Sequence, residues 1–563
     1  MTTRAQHSVG VLTHVLHEVR SGRAPPAPHG ADVYEARSRP PPSVAHRCRT
    51  YPCYERERTM SLASLLHRLA RPGLVTAALA AGALALSTGT ATAAPALTRI
   101  SSDPYTDSTS QHATEVEPDT FSFGSTIVSA FQVGRFTDGG SSNVGFATSS
   151  DNGATWTKGF LPGITIQAGG TFQRVSDPSV AYDAKHNAWL ISTIPITSSV
   201  AVPEVFTSRS TDGGLTWSNP VVTATGSSLD KNWIVCDNTA TSTFYGNCYT
   251  EYDNNGDGDR IKMTTSSDGG LTWGAPKNTG NNATGLGGQP VVQPGGTVVV
   301  PIANASETAI RAFTSTNGGS TWTNATTVAT VSTFTVRGGL RSGPLPSAEI
   351  DAAGKVYVVW QDCRFRASGG SCTANDIVMA TTTNGTTWSS VVRIPIDATT
   401  STVDHFIPGL AVDPATSGAA AHLALTYYYH PVANCTAATC QLDVGYVSST
   451  NGGSTWTAPT QLAGPMTHSW LASTTQGTMV GDYISTSFAA GTAHPVFAVA
   501  TAPSGSVFNE AMYTPTSGLT ATAGTTTVTT ATARDNAFSA RLAVIAYAQW
   551  LAAGGTEGGE DSP

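Results

Sequence analysis

The stretch SSDGGLTW, residues 266–273, decides the fold, because close variants of it occur at six places in the chain. The other copies are SSDNGATW at 149–156, STDGGLTW at 210–217, STNGGSTW at 315–322, TTTNGTTW at 381–388 and STNGGSTW at 449–456. In such a phrase the Asp side chain accepts backbone N–H bonds within a tight turn, and glycine adopts a positive φ without strain. The Trp side chain then packs in a fixed direction. Asn317 and Asn451 can accept the same backbone bonds as the Asp, whereas Thr383 in the fifth copy is a less suitable acceptor. The phrase therefore predicts a structural turn and not a catalytic site.

The spacing of the six phrases predicts a repeat architecture. Their tryptophans are 61, 56, 49, 66 and 68 residues apart, which is typical of propellers and solenoids. Between them, runs such as DPSVAYDAKHNAWLIST (177–193) and PSAEIDAAGKVYVVW (346–360) read as strand, turn, strand. Units of this kind open near residues 117, 177, 230, 289, 346, 407 and 481. We predict an all-β protein with a β-propeller over residues 94–518, built from four-stranded blades. Seven blades are favoured, and six remain the alternative because one unit lacks the phrase.

The two ends of the chain differ from the repeat region. Residues 60–93 combine Arg68 and Arg71, an apolar run too short to cross a bilayer, and a small-residue cleavage site, so they predict a secretory signal peptide. Residues 1–59 are interpreted as a disordered leader or a mis-assigned start. Residues 519–563 predict a Thr-rich segment, strand or linker, followed by a short C-terminal helix. The apolar positions expected on one face of that helix are Phe538, Leu542, Ile545, Ala546 and Trp550.

Charge and cysteine content limit the classes of function that fit this chain. Beyond residue 93 the chain has 19 basic and 33 acidic residues, a formal net charge of −14, which argues against nucleic-acid binding. The six remaining cysteines form local pairs, expected to be disulfides of an exported protein: Cys236 with Cys248, Cys363 with Cys372, and Cys435 with Cys440. We expect a secreted monomer with no membrane anchor and no organic cofactor.

A short acidic segment, EYDNNGDGDRIKM at 251–263, predicts a calcium site with a structural role. Asp253, Asn255 and Asp257 place oxygen ligands at alternate positions, and Gly258 permits the bend. Asp259 or Glu251 could complete the shell, because Thr264 stands where a calcium loop of the helix–loop–helix type has a bidentate Glu. The alternative is an acidic hairpin tip without a metal.

The spaced SxDxGxTW phrase resembles the Asp-box, or bacterial neuraminidase repeat, of the sialidase superfamily. The resemblance covers about residues 114–515 and rests on the six phrases and on the unit openings DPSVAYD, WIVCDN and VVWQDCR. It implies a secreted β-propeller and a glycoside hydrolase of the exo-α-sialidase class acting on a glycan or glycoconjugate. In that family three arginines clamp the substrate carboxylate, a Tyr–Glu pair supplies the nucleophile, and an Asp is the acid/base.

Carried onto this chain, the resemblance makes Tyr483 the nucleophile, Glu349 its partner and Asp177 the acid, with Asp119 as the alternative acid. Arg364, fifteen residues after Glu349, matches the second clamp arginine. The family's Arg-Ile-Pro signature is missing before the first phrase, so Arg174, Arg341 or Arg337 would have to replace the first. No Arg or Lys lies between Arg393 and Arg534, so the clamp is incomplete in family order.

The first strand of each blade in a propeller lines the central channel, which makes the polar residues at the unit openings the candidates for a site. These are Glu117, Asp119, Arg174, Asp177, Asp230, Lys231, Gln289, Glu349, His405, Asp482 and Tyr483. A sialidase-like hydrolase is the leading hypothesis. A non-catalytic propeller that binds glycan or protein is the alternative, and a polysaccharide lyase is a third, weaker idea.

Overall fold

Antiparallel β-strands make up nearly all the regular structure in the computed structural model, which describes residues 94–366 and 371–552. The predicted leader (1–59) and signal peptide (60–93) lie outside the described residues. One α-helix is present in the described part, α1 (Ala533–Ala552). The prediction of a mostly β protein with a C-terminal helix is therefore confirmed.

Strand β1 (Leu97–Arg99) comes first and is followed along the chain by seven groups of antiparallel strands. Group 1 is β2 (Gln111–Phe123), β3 (Thr126–Arg135), β4 (Ser141–Ser149) and β5 (Thr157–Phe160). Group 2 is β6 (Arg174–Asp183), β7 (Ala188–Ile196), β8 (Glu204–Ser210) and β9 (Val221–Thr225). Group 3 is β10 (Leu229–Cys236), β11 (Cys248–Asn254), β12 (Arg260–Ser266) and β13 (Lys277–Asn278). Group 4 is β14 (Val291–Val292), β15 (Val298–Ala303), β16 (Ala309–Ser315) and β17 (Thr326–Thr330).

Group 5 is β18 (Ser347–Ile350), β19 (Val356–Asp362), β20 (Asp376–Thr382) and β21 (Val392–Arg393). Group 6 is β22 (Asp404–Val412), β23 (Leu423–His430), β24 (Gln441–Ser449) and, after the short β25 (Thr455–Trp456), β26 (Thr460–Thr467). A hairpin of β27 (Ala472–Thr474) and β28 (Gly477–Met479) precedes group 7. Group 7 is β29 (Ser485–Ala489), β30 (Thr492–Ala500) and β31 (Glu510–Pro515). The Thr-rich segment adds β32 (Leu519–Thr520), β33 (Thr526–Thr527) and β34 (Thr529–Thr530), which pair with β30, β25 and β21.

Single turns of 3₁₀ helix occur between several of these strands. They are Ile166–Ala168, Asn255–Asp257, Arg337–Gly339, Arg364–Arg366, Gly418–Ala420 and His468–Trp470.

Group 7 takes its fourth strand from the beginning of the described chain. Strand β1 pairs with β31 in antiparallel register, with Leu97 opposite Pro515 and Arg99 opposite Tyr513. The first strands of successive groups lie against one another, and β29 lies against both β22 and β2. Groups 7, 1 and 2 are also joined into one hydrogen-bonded network through single bridges between β31 and β2 and between β4 and β6.

Stacked sheets explain why second strands such as β15 and β19 read as nearly continuous apolar runs. Strand β19 (VYVVWQD) is buried at every position, as is β4. A strand with protein on both faces cannot show the alternation of a half-exposed strand. The core is accordingly divided into clusters between neighbouring groups, such as the one that joins Tyr357 of β19 to Leu425 of β23.

The six tryptophan phrases form turns between the third and fourth strands, which we call the tryptophan turns. In the turn at 266–273, Asp268 Oδ1 accepts bonds from Ser266 Oγ (2.8 Å) and from the Thr272 N–H (3.0 Å), and the Gly270 N–H donates to Ser266 Oγ at 3.0 Å. The Thr216 hydroxyl is the main cause that lowers the pKa of Asp212 to about 2 in the equivalent turn. These carboxylates therefore stay charged and close the turn.

The fifth turn is one residue shorter than the sequence comparison implied. Asn384, and not Thr383, accepts the backbone N–H bonds, from Thr387 at 2.8 Å and from Thr386 at 3.0 Å. Thr382 takes the place of the first Ser, because its hydroxyl accepts the Gly385 N–H at 3.0 Å. The alignment of Thr383 with Asp268 was wrong, since it assumed turns of equal length.

Each tryptophan turn packs against the preceding group. Trp217 of group 2 lies 5.7 Å, centroid to centroid, from Phe146 of group 1. The first turn packs against group 7: a Cβ on Gly153 would lie 2.5 Å from the His494 ring. Gly153 also has a φ of 82°, so only glycine fits there without strain.

All three predicted cysteine pairs are bonded in the structure. Such bonds form and persist in oxidising compartments. Within the described residues, none of the helices has the length and apolar character needed to span a bilayer.

The C-terminal helix docks by a face that overlaps the predicted one only in part, since Phe538, Leu542 and Trp550 are half-buried. Ser539 and Ala543 are its buried residues, whereas Ile545 is 45% exposed. Ser539 bonds to Thr330 of β17 and Asn536 bonds to Arg364, so polar contacts attach the helix to the groups it covers. The apolar spacing predicted the helix and part of its contact face, but Ile545 and Ala546 are exposed.

Candidate functional site

Bulges in three first strands turn polar side chains toward one place. Strand β2 has a register shift between Val116 and Asp119, β6 has one between Ser176 and Ser179, and β10 has one between Asp230 and Trp233. At each bulge a residue other than glycine adopts the left-handed region, with φ of 55° at Glu117 and 49° at both Asp177 and Lys231. Such conformations cost about 1–3 kcal/mol each and cluster at functional sites.

These side chains line a cavity of about 360 Å³, within the size range of small-molecule sites. Its charged residues are Glu117, Arg135, Asp177, Asp230, Lys231, Glu307, Arg341 and Asp482. Its apolar lining residues are Ile194, Ile196, Val200, Val202, Leu229, Leu286, Leu340 and Leu345. The cavity therefore combines charged and apolar lining residues.

Asp482, in the segment between β28 and β29, is held between two cations. It accepts two bonds from Arg341, from Nε at 2.7 Å and from Nη2 at 2.5 Å, and one from Lys231 Nζ at 2.6 Å. Burial acts to raise the pKa of Asp482, but the charges of Arg341 and Lys231 outweigh it and hold that pKa well below its ordinary value. Asp482 is thus an ionised carboxylate. It is already paired with two of the three cationic residues that line the cavity.

Glu117 has the opposite character. The pKa of Glu117 is raised to about 7, mainly by burial and then by the charges of Asp482 and Asp177. Its Oε1 accepts the Asp482 N–H at 3.2 Å, and its Oε2 accepts a bond from Gln132 Nε2. Glu117 is therefore a carboxyl group that can hold a proton near neutral pH, close to the ionised Asp482.

Asp177 is oriented by neighbours that stabilise its charge. Ser176 Oγ donates to Asp177 Oδ1 at 2.7 Å, the Lys231 N–H donates to Oδ2 at 3.2 Å, and Lys231 Nζ lies 4.0 Å from Oδ2. Asp230, beside Lys231, has a pKa of about 7, raised first by burial. Glu117 and Asp177 thus form a pair of carboxyl groups in different environments within one cavity.

Of the residues proposed from the family resemblance, only Asp177 and Arg341 line this cavity. Tyr483 is buried beneath it, with its hydroxyl donating to the Pro178 carbonyl at 3.1 Å and its ring against Trp233. Burial raises the pKa of Tyr483 well above its ordinary value. Glu349 lies on β18, where burial and then the charge of Asp119 raise its pKa well above its ordinary value.

Two of the other three proposed arginines are engaged elsewhere, and the third, Arg337, stacks over the Phe334 ring. Arg174 pairs with Asp138 at 2.7 Å and stacks over Phe136. Arg364 is buried and pairs with Asp362 at 2.7 Å, while its Nη1 donates to Asn536 of α1 at 3.1 Å. The structure thus places Arg174 and Arg364 in contacts that stabilise loops and the C-terminal helix.

The alternative acid, Asp119, connects two groups of strands. It accepts the Thr120 N–H at 2.8 Å and the Val180 N–H of β6 at 2.7 Å, and burial raises its pKa to about 7. It does not line the cavity.

The predicted calcium residues lie at the β11–β12 connection. Asp253 and Asp259 are buried, whereas the Asp257 side chain is 45% exposed and pairs with Lys262 and with Arg260 at 3.3 Å. Asn255 lines the cavity. The predicted ligands are therefore not equivalent, since Asp257 points to surface cations and the other three lie inward.

Sequence reasoning did not identify Arg135, which ends β3 and donates to the Gly140 carbonyl at 3.0 Å and to Gln132 Oε1 at 3.2 Å. The sequence contains a signal for the bulges themselves, because Glu117, Asp177 and Ile407 are each followed by proline at a unit opening. Proline fixes its own φ and lacks an N–H, which favours an interruption of the ladder.

No family model and no curated protein sequence matches the chain. Several solved structures resemble it. The leech intramolecular trans-sialidase aligns over 59% of this chain and 67% of its own at 14% identity, with a TM-score of 0.41. The Hadza microbial sialidase Hz136 aligns over 68% and 75% at 14% identity, with a TM-score of 0.38. An ulvan lyase of polysaccharide lyase family 25 aligns over 79% and 99% at 10% identity, with a TM-score of 0.44.

Proposed function

We propose that the protein is a secreted glycoside hydrolase that acts as a monomer, built as a closed propeller of seven blades, with its active site in the cavity. The pair formed by Glu117 and Asp177 is the observation that carries the proposal. Glycoside hydrolysis needs one carboxyl group that holds a proton near neutral pH and a second that is ionised. The packing of β29 on both β22 and β2, and of the first tryptophan turn on His494, supports the closed ring.

In this proposal Glu117 is the general acid, which protonates the leaving oxygen as the bond from the anomeric carbon to that oxygen breaks. Asp177 faces the anomeric carbon and acts as nucleophile or as the base for water. Water supplies the hydroxyl group of the new reducing end, and its proton returns to the carboxyl pair. The apolar lining residues, such as Ile194 and Val202, would cover the carbon face of a sugar ring.

The charges of the cavity favour an uncharged glycan. Arg341 and Lys231 are both bonded to Asp482, and the remaining carboxylates repel a further anion. Exo-sialidase activity is the second candidate, supported by the fact that Arg135, Lys231 and Arg341 all line one cavity. For a sialic acid carboxylate to bind, it would have to displace the Asp482 carboxylate from Arg341 and Lys231.

The test compares aryl glycosides of neutral sugars and of sialic acid that carry good and poor leaving groups. Asp177→Asn is expected to lower kcat/KM by at least about 10³-fold on every cleaved substrate. Glu117→Gln is expected to lower it by about 10²–10⁴-fold with a poor leaving group, and far less with a good one, which does not need an acid. In the wild type, kcat/KM is expected to fall as pH rises through about 7, where Glu117 of the free enzyme loses its proton.

Tyr483→Phe and Glu349→Gln are the controls, because neither residue lines the cavity. The proposal predicts that both retain activity. Loss of sialoside cleavage in Tyr483→Phe would instead support the sialidase mechanism. Glycan binding without turnover of any glycoside would support the non-catalytic alternative.

A further inference from the structure

A second site lies beside the cavity, where β11 turns into β12. Asp253 of β11 is the register partner of Asp230 on β10, and both Asp230 and Asn255 line the cavity. Asp259 stands on the other side of the turn. The turn thus presents three side chains with terminal oxygens between the cavity and the interior of group 3.

The terminal atoms of these side chains converge. One terminal atom of the Asn255 amide lies 2.9 Å from Asp253 Oδ2 and 2.8 Å from Asp259 Oδ1. If that atom is oxygen, three acceptors face one another with no proton between them, which is how oxygens surround a cation. If it is nitrogen, the amide bridges the two carboxylates by hydrogen bonds. The two arrangements make different predictions.

Burial distinguishes this set from an ordinary acidic surface. Asp253 is 2% exposed, Asp259 is 6% exposed, and the neighbouring Glu251 is fully buried. Asp253 Oδ1 has no hydrogen-bond partner among the described residues, and the amide bridge does not provide one. A buried carboxylate oxygen without a partner is costly, and a bound cation removes that cost.

The ammonium group of Lys231 is engaged by carboxylates outside this set. Lys231 is already shared between Asp482, at 2.6 Å, and Asp177, at 4.0 Å. Lys231 therefore already has anionic partners of its own.

We propose that Asp253, Asn255 and Asp259 bind a divalent cation, calcium by preference, beside the cavity. The ligands are all hard oxygens, which suit calcium better than zinc or copper. Asp253 has two carboxylate oxygens to contribute, and water would supply the remaining ligands. Asp257 is not a ligand, because its carboxylate is exposed and paired with Lys262 and Arg260.

The experiment is calorimetric titration of calcium into the protein after dialysis against a chelator, with the unfolding temperature measured in parallel. Wild type is expected to bind one calcium and to gain thermal stability. Asp253→Asn and Asp259→Asn are expected to weaken binding at least about tenfold, while the matched variant Asp257→Asn stays within about twofold of wild type.

Asn255→Asp separates the two arrangements of the amide. A cation site gains a carboxylate ligand and is expected to bind calcium as tightly as wild type or more tightly. An amide bridge would be replaced by repulsion among three carboxylates, so this variant would lose stability with calcium present as well as without it. Such a loss would overturn the proposal.

Absence of a calcium-dependent heat and temperature shift in wild type at up to roughly 10 mM, above the affinity range of extracellular calcium modules, would also overturn it. So would an equal loss of binding in Asp257→Asn and Asp253→Asn. The readouts are binding and stability, so they do not depend on whether the cavity is catalytic.

Discussion

At the scale of single residues, burial determines which acidic groups hold a proton. Glu115 illustrates this at a position outside the cavity. It is fully buried on β2, accepts a bond from Ser101 Oγ at 2.6 Å and lies 3.6 Å from Arg99 Nη2. Burial outweighs both partners and raises its pKa from 4.5 to about 7. Burial is also the main cause that raises the pKa of Glu117 and of Asp119, on the same strand, to about 7.

The raised pKa of Glu115 predicts a pH dependence of stability. The folded state holds this proton more tightly than the unfolded chain does, so the stabilisation is complete below about pH 4.5 and is lost as pH rises through about 7. The shift corresponds to about 3 kcal/mol at most. Glu115→Gln is expected to reduce the fall in unfolding free energy between pH 5 and pH 8, measured by denaturant titration. An unchanged fall would contradict the assignment, and Asp257→Asn, an exposed change, is the control.

At the scale of elements, the tryptophan turns show that one local design tolerates a change of length. In the fifth turn Thr382 and Asn384 provide the bonds that Ser266 and Asp268 provide in the third, although one residue fewer separates Asn384 from the tryptophan. The hydrogen bonds to the side-chain oxygen fix the turn, and the glycine that follows can shift by one place. The hydrogen bonds of the turn therefore identify the equivalent residues more reliably than the sequence pattern does.

The short fifth turn predicts unequal effects at adjacent positions. Asn384→Ala is expected to cost about 1–2 kcal/mol of unfolding free energy, because it removes the acceptor for the Thr386 and Thr387 N–H groups. Thr383→Ala is expected to change stability by less than about 0.5 kcal/mol, because its side chain is exposed. Chemical denaturation of both variants checks this. A larger loss in Thr383→Ala would restore the equal-length alignment.

At the scale of the whole molecule, the first described strand, β1, completes group 7. Strand β1 pairs with β31, and the Ile100 N–H donates to the Met512 carbonyl at 2.9 Å. Ile100 is fully buried in the cluster that also contains Phe497 and Met512. Because the last group is completed by the first strand, this contact couples residues more than four hundred positions apart.

Weakening that contact is expected to destabilise the entire molecule. Ile100→Ala should lower the unfolding free energy by about 2–4 kcal/mol, since it leaves a cavity between β1 and group 7. Thr98→Ala, on the same strand, is the control and should cost less than about 1 kcal/mol. Thermal unfolding followed by tryptophan fluorescence measures both. Equal transitions for Ile100→Ala and wild type would show that β1 does not pack as described.

The sequence by itself determined the local features of this protein. The turns, the strand-rich composition, the three cysteine pairs and the C-terminal helix follow from patterns within a few residues, because hydrogen bonds in turns and apolar spacing are local. It also placed Asp177, Lys231 and Asp482 at unit openings. Only the tertiary structure decided that Asp482 forms ion pairs with Arg341 and Lys231. It also decided that Tyr483 is buried with its hydroxyl on the Pro178 carbonyl and that Arg364 donates a hydrogen bond to α1. Those outcomes depend on which groups of strands face one another, and so on distances between residues far apart in the chain, which no local pattern encodes.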